Sequence, residues 1–390
     1  MSERFIAEHI KTLKPSGIRR FFDLAQSMEG VISLGVGEPD FTTPWSVIEA
    51  SYHSLERGFT AYTPNAGLLT LRQSISRFLD TRFQVRYQPE DEVIVTVGAS
   101  QSIDLAFRAI LNPGDEVIVM EPSFVSYIPT ITLAGGVPVI VDTYEKDAFK
   151  LSKEAVEAAI TEKTKAILIC SPNNPTGAVL SREDLIGISD VIKGHDLLVI
   201  SDEIYADLLY DDTYTSMASM EGMKERTLLV SGFSKAFAMT GWRLGYVCGP
   251  KDLIAQMLKI HQYTIMSAPT MAQYGAIEAL ENGLSEVEMM KESYKQRRNY
   301  VVKALTRMGL SCHVPGGAFY VFPSIKSTGL SSSDFAEQLL MEEKVAVVPG
   351  SVFGDSGEGY IRCSYAASMK QLTEAMDRIS RFLDKLKAKE

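Results

Sequence analysis

Lys235 lies in SGFSKAFAMTGWRLG, Ser231 to Gly245, among small and hydroxyl-bearing residues, with Arg243 eight positions further on. A lysine amine becomes nucleophilic when burial or neighbouring cations lower its pKa, and it can then form a Schiff base with a carbonyl. Arg243 and the hydroxyls of Ser231 and Ser234 suit a phosphate beside it. A ligand that carries both a carbonyl and a phosphate points to pyridoxal 5'-phosphate. A lone lysine after a strand is more often a surface residue, so the weight falls on the other segments.

Three of these end apolar runs that read as buried strands. TKAILICSPNNPTG runs to Asn174 and beyond, DLLVISDEIY ends in Asp202 and Tyr205, and EVIVTVGASQSIDLAFRAIL passes through Gly98 into a helix. Asp202 can pair with a protonated pyridine nitrogen and keep the ring an electron sink. Tyr205 and Asn174 can both bond the ring hydroxyl. The amides of Ala99 and Ser100 would face an anion from a helix N-terminus, where the dipole and unpaired donors favour phosphate. Singly, Asp202 and Ser100 read as helix caps and Asn174 as a turn residue. Together they gather at the carboxyl ends of strands, where open α/β sheets place ligands.

With those residues in view, the whole chain resembles the class I aminotransferases of the aspartate aminotransferase fold, a fold-type I pyridoxal-phosphate family. Within it the nearest subgroup contains aromatic, alanine and N-acetyl-diaminopimelate aminotransferases. The motifs are GEPDF at Gly37, AYTPNAG at Ala61, SPNNPTG at Ser171, SDEIY at Ser201, SKAFAMTGWRLGY at Ser234 and GYIRCSYA at Gly359. The resemblance implies that Lys235 forms the Schiff base and later shuttles a proton. It implies that Asp202 partners the pyridine nitrogen, and Asn174 and Tyr205 the ring hydroxyl. Phe124 matches the aromatic that stacks on the cofactor ring. Ala99, Ser100, Ser234 and Arg243 match the phosphate cradle, and Tyr62 a tyrosine reaching the phosphate from the other subunit of a homodimer. Arg362 matches the arginine that clamps the substrate α-carboxylate, assisted by Gly37 and Asn174. The expected activity is ping-pong transfer of an amino group between an L-amino acid and a 2-oxo acid such as 2-oxoglutarate.

The chain departs from that family in two places. Gly232 stands three residues before Lys235, where many relatives carry a phosphate-binding serine, which leaves Ser231 as a candidate substitute. Relatives specialised for aspartate add a cation for the side-chain carboxylate, and the two positions to compare here are Tyr263 and Ser100. An apolar, aromatic or alanine-like side chain fits better, with Val36, Phe5, Ile18 and the region near Tyr263 as candidate specificity positions.

The elements that must position these residues follow from periodicity. Between about Trp45 and Gly283, strand-like runs at Glu92, Asp115, Val137, Thr164, Asp196, Thr227 and Trp242 are mostly separated by helical patterns, which argues a largely parallel sheet. This α/β region, 45–283, is expected to be a large cofactor-binding domain. From Leu284 a charged helix leads into GGAFYVFPSI, VAVVPGSVFG and GYIRCSYA, then a helix with Met369, Leu372, Met376, Ile379 and Leu383 on one stripe. Residues 284–390 together with 1–44 are expected to form a small α+β domain.

Composition fits an enzyme of this kind. The 390 residues are 45% apolar with a net charge of −10, which gives no electrostatic footprint for nucleic acid. Cys170, Cys248, Cys312 and Cys363 lie far apart, arguing against a disulfide framework or a zinc ribbon and for a reducing cytoplasm. No apolar run approaches the roughly 18 residues of a membrane span, and MSERFIAEHIKTLKPSG lacks a signal core. The five histidines are scattered without metal-binding spacing. LGVGEPD begins like a dinucleotide fingerprint, but Pro39 and Asp40 stand where a third glycine should open a helix. Three rivals remain: a carbon–sulfur β-lyase or synthase on the same fold, an amino-acid sensor, which would need a fused DNA-binding segment, and a nicotinamide-dependent oxidoreductase.

Overall fold

The computed structural model describes residues 3–11, 13, 15, 17 and 28–388. Its framework is a seven-stranded sheet. A short strand β1 (Ile32–Ser33) precedes it, and the sheet strands follow as β2 (Val93–Thr96), β3 (Glu116–Glu121), β4 (Val137–Asp142), β5 (Thr164–Cys170), β6 (Leu198–Asp202), β7 (Thr227–Gly232) and β8 (Gly245–Cys248). Their order is β2-β8-β7-β6-β5-β3-β4, and every neighbouring pair is parallel except those involving β8. The sheet is therefore mostly parallel, as its hydrophobic runs imply. β8 runs the other way because the loop 233–244 that returns from β7 carries no crossover helix.

Both faces of the sheet are covered, which is why its strands read as continuous apolar runs. Val117 and Val119 of β3 pack with Phe107 and Ile131 on one face. The alternating Ile118 and Met120 pack with Leu185, Ile188 and Ile192 on the other. Helix Ala99–Ile110 starts directly after β2, and its buried stripe includes Ile103, Ala106, Phe107 and Ile110, each deep enough to contribute about 1.5–3 kcal/mol for the larger side chains. Two glycines let it sit close. A Cβ on Gly245 would lie 2.6 Å from the Ala99 amide nitrogen, and Gly232, paired with Gly245 across β7 and β8, has the same lack of room.

The remaining strands are short. β9 (Tyr320–Val321), β10 (Val345–Ala346), β11 (Val348–Pro349) and β12 (Ile361–Ser364) follow helix Leu284–Arg307. β12 lies antiparallel between β11 and β9, and β10 pairs in parallel with β1. Their core holds Tyr294, Phe319, Phe335 and Phe382, and it takes in Leu34 from near the N-terminus. Helix Met369–Lys387 opens with a capping box between Ser368 and Gln371 and buries Leu372, Met376, Ile379 and Leu383, whereas Met369, expected on that stripe, is 43% exposed. All four residues of β12 are buried, so Arg362 lies inside, on a strand with both faces covered. Among the described residues no helix is long and apolar enough to cross a membrane, and no three His, Cys, Asp or Glu side chains gather where a metal could bind.

Candidate active site

The carboxyl ends of β2, β6 and β7, joined by the loop after β5, surround a cavity of about 560 Å³, a size typical of small-ligand sites. β12 and the segment after β1 close it from the opposite side by contributing Arg362, Gly37 and Glu38.

Lys235 comes from the loop after β7, and its Nζ donates to the Gly37 carbonyl at 2.5 Å. Burial lowers its pKa to about 8; nearby Glu38 opposes that shift, and Arg362 and Arg243 add to it. A useful fraction of the amine is therefore neutral near pH 7–8, as a nucleophile or proton acceptor requires.

Asp202 is the last residue of β6 and is buried. The Tyr127 hydroxyl donates to its Oδ2 at 2.7 Å, and the Ile204 amide to Oδ1 at 3.2 Å. Burial raises its pKa, against the pull of those two donors and of Lys235. Such a carboxylate gains most from a cation brought into the cavity. The bond from the Ile204 amide is a local turn contact rather than a helix cap, since the next helical turn, Ala206–Leu208, has Tyr205 at its N-cap.

Arg362 is buried, and burial lowers its pKa. Nη1 donates to Asn174 Oδ1 at 2.9 Å and Nη2 to the Gly35 carbonyl at 2.6 Å, and the guanidinium lies 4.5 Å from the Tyr320 ring centre. Among the described residues no carboxylate pairs with it, and its Nε is a buried donor without a partner. A buried cation with spare parallel donors is built for an anionic ligand.

At the other end of the cavity, Ala99 and Ser100 begin helix Ala99–Ile110, with Ser234 and Arg243 beside them. Gly98 has φ +83°, a backbone conformation that side chains disfavour, and its missing Cβ also leaves room for the Arg243 guanidinium. Helix amides, a hydroxyl and a guanidinium make an anion cradle. Phe124 also lines the wall, edge to face with Tyr127 at 5.6 Å. Asn174 sits in the loop four residues past the end of β5, and Tyr205 three residues past β6, with its hydroxyl 2.9 Å from that of Tyr320.

The cavity thus gathers Lys235, Asp202, Tyr205, Ala99, Ser100, Phe124, Asn174, Ser234, Arg243, Gly37 and Arg362, whereas Tyr62 is 82% exposed and off the wall. Ser231 is a correction: its hydroxyl bonds the Glu203 carbonyl, because alternation along β7 turns it away from the cavity. Tyr263 is 87% exposed and Phe5 76%, and neither touches this cavity, whereas Ser100 and Val36 do. Ile18 lies outside the described residues. Tyr127, the first residue of helix Tyr127–Leu133, also lines the wall, and in sequence it reads as one more core aromatic. Tyr320, Glu38 and Thr240 line the wall with no signal in their spacing.

The residues present fit pyridoxal 5'-phosphate: an anion cradle, a buried carboxylate and an amine line one cavity. The family described as aminotransferase class I and II matches this chain over residues 29–379. The chain is 62% identical over 381 residues to YugH of Bacillus subtilis, provisionally named an aminotransferase, covering 98% of this chain and 99% of that one. It is 48% identical to an aspartate aminotransferase of Pyrococcus abyssi, over 97% of this chain and 98% of the other. The crystal structure of an aromatic aminotransferase from Pyrococcus horikoshii superposes with a TM-score of 0.90 at 47% identity, over 95% of this chain and all of that one (100%).

Proposed function

The chain belongs to the class I and II aminotransferases and is a transaminase, and from that premise we propose that it uses pyridoxal 5'-phosphate to move amino groups from apolar, aromatic or alanine-like L-amino acids. The acceptor in this reading is a 2-oxo acid such as 2-oxoglutarate, and the kinetics are ping-pong. The observation that carries it is the Lys235 amine, lowered to about 8, in one cavity with buried Asp202 and with buried Arg362, with which no carboxylate among the described residues pairs.

When bound, the cofactor supplies an electron sink for the bond broken at the substrate α-carbon and a carbon that carries the amino group. Arg362, held by Asn174 and Gly35, binds the α-carboxylate through two parallel bonds and orients the α-carbon. Asp202, kept in place by Tyr127, would pair with the ring nitrogen. Tyr205 and Asn174 would bond the ring hydroxyl, Phe124 would pack on the ring, and Ala99, Ser100, Ser234 and Arg243 would hold the phosphate. Lys235 Nζ takes the proton from the α-carbon and returns it on the other side of the reaction.

The wall favours an uncharged substrate side chain. Among the described residues, Lys235, Arg243 and Arg362 are the arginines and lysines that line the cavity, and Val36, Ile103 and Ile204 line it too. The relatives' names divide between aspartate and aromatic substrates and do not choose. The division into a large domain, 45–283, and a small one, 1–44 with 284–390, belongs to the same reading. It is supported by the change of core between Val287, which packs with Leu280, and Met290, which packs with Tyr294. A homodimer with Tyr62 reaching a neighbouring site is supported by the exposed Trp45, Tyr52, Tyr62 and Tyr263. A reducing, cytoplasmic setting is supported by four cysteines that are all unpaired.

The test is the absorbance of the purified protein with pyridoxal phosphate, before and after single amino acids are added without any oxo acid. Conversion of the lysine-bound band to the amine-form band by apolar or aromatic donors is expected, and Lys235→Ala should abolish it. Release of pyruvate and ammonia without that conversion would replace transamination with β-elimination for the substrate tried. Near-normal turnover by Lys235→Ala would end the assignment.

A further inference from the structure

Three separate parts of the site converge on one phenol that none of the chemistry above uses. Tyr320, in β9, is 1% exposed. Its hydroxyl lies 2.9 Å from that of Tyr205, the residue placed at the cofactor's ring hydroxyl. Its ring lies beneath the Arg362 guanidinium, 4.5 Å from ring centre to Cζ. Its oxygen also closes on the backbone at Gly37, where a Cβ would sit 2.7 Å away, and the Gly37 carbonyl is the one that holds Lys235.

Either hydroxyl of the Tyr205–Tyr320 pair can donate to the other. Once the single proton of Tyr205 is given to an acceptor in the cavity, Tyr320 is left as the donor. A hydroxyl that accepts a hydrogen bond becomes a stronger donor itself, because the two bonds polarise each other. The guanidinium over the Tyr320 ring favours the same direction by drawing charge toward it.

We propose that Tyr320 is a positioning residue for the transamination site, donating to Tyr205 so that Tyr205 donates strongly to the cofactor's ring oxygen, and tying that contact to the arginine that grips the α-carboxylate. This rests on the pyridoxal-phosphate reading above. A stronger donor at the ring oxygen draws off electron density that would otherwise hold the proton shared between that oxygen and the lysine nitrogen. Weakening it must then raise the pH at which the proton leaves.

The experiment compares holo wild type, Tyr320→Phe, Tyr205→Phe and the double variant. Two quantities are read: the pH midpoint of the bound cofactor's visible absorbance change, and the dissociation constant of pyridoxal phosphate by spectral titration. Tyr320→Phe keeps the ring under Arg362 and loses only the hydroxyl. It should move the midpoint upward by about half a unit to one unit and weaken cofactor binding about three- to tenfold, the range one hydrogen bond supplies. In the Tyr205→Phe background the same change should add almost nothing, since the relay already lacks its middle member. Gly37→Ala displaces the same hydroxyl from the backbone side and should shift the midpoint in the same direction, which keeps the test open if Tyr320→Phe folds poorly. An unmoved midpoint in folded Tyr320→Phe, or effects that add in the double variant, would overturn the relay while leaving the transaminase reading intact. A wild type with no cofactor band would overturn both.

Discussion

Replacing Arg362 with lysine tests whether the site divides substrate binding from cofactor binding as its geometry implies. Arginine offers five N–H groups in a plane, of which one goes to Asn174 at 2.9 Å and one to Gly35 at 2.6 Å. The rest include the unpartnered Nε and leave room for two parallel bonds to a carboxylate. Lysine keeps the charge but has one nitrogen on a flexible stem, so it cannot hold both anchors and still bind a carboxylate with two bonds. Losing one charge-assisted bond costs about 1.5–3 kcal/mol, or about ten- to 150-fold in kcat/KM. Cofactor affinity should stay within about threefold, because Arg362 is anchored on Asn174 and Gly35 whereas the cradle's Arg243 is anchored on Thr240. The assay is single-turnover conversion of the cofactor band at varied amino-acid concentration, beside a spectral titration with pyridoxal phosphate. A kcat/KM within about twofold of wild type would refute the clamp. Cofactor affinity lost to the same degree as kcat/KM would refute the division of labour.

Two further outcomes follow from burial and backbone geometry. In the cofactor-free protein the Lys235 pKa is about 8, against 10.5 for an unperturbed lysine, so the unfolded chain binds more protons between those values. The destabilisation from this group is full below about pH 8 and fades as pH rises toward 10.5, so stability from this residue rises with pH. Cofactor-free Lys235→Met should therefore exceed cofactor-free wild type by about 2–3 kcal/mol at pH 7, with the gap narrowing by pH 10 in urea titrations; a gap independent of pH would contradict the burial argument. Gly354→Ala should lower stability by about 2–3 kcal/mol, because φ is +122° and the new Cβ would meet Glu121 Oε2 at 2.1 Å. Gly329→Ala, at φ +68° in open space, should cost about 1 kcal/mol by comparison, and equal thermal shifts for the two would remove the steric part of the argument.

Much of the sheet and most of the cavity wall were legible in the sequence. A parallel sheet covered on both faces must be built from uninterrupted apolar runs, and its ligands gather where those runs stop, so Asp202 and the turn at Gly98 announced themselves by position. Chemistry supplied the rest, because Lys235 and Arg362 are costly to bury without a purpose. What the sequence could not fix is which side chains meet across distance. Tyr320 lies 115 residues from the hydroxyl it touches, and in sequence it is one more aromatic in a buried strand. Tyr127 is likewise an ordinary aromatic in sequence, and only the fold puts its hydroxyl on Asp202. Ser231 was drawn toward the phosphate by proximity to Lys235, yet the alternation of β7 turns its hydroxyl to the far side, and the closeness of β8 leaves Gly232 no room for a side chain. Period and residue type are local properties and survive in the chain. Contacts between segments a hundred or more residues apart, and the partners that make a buried polar group tolerable, exist only once the segments have packed.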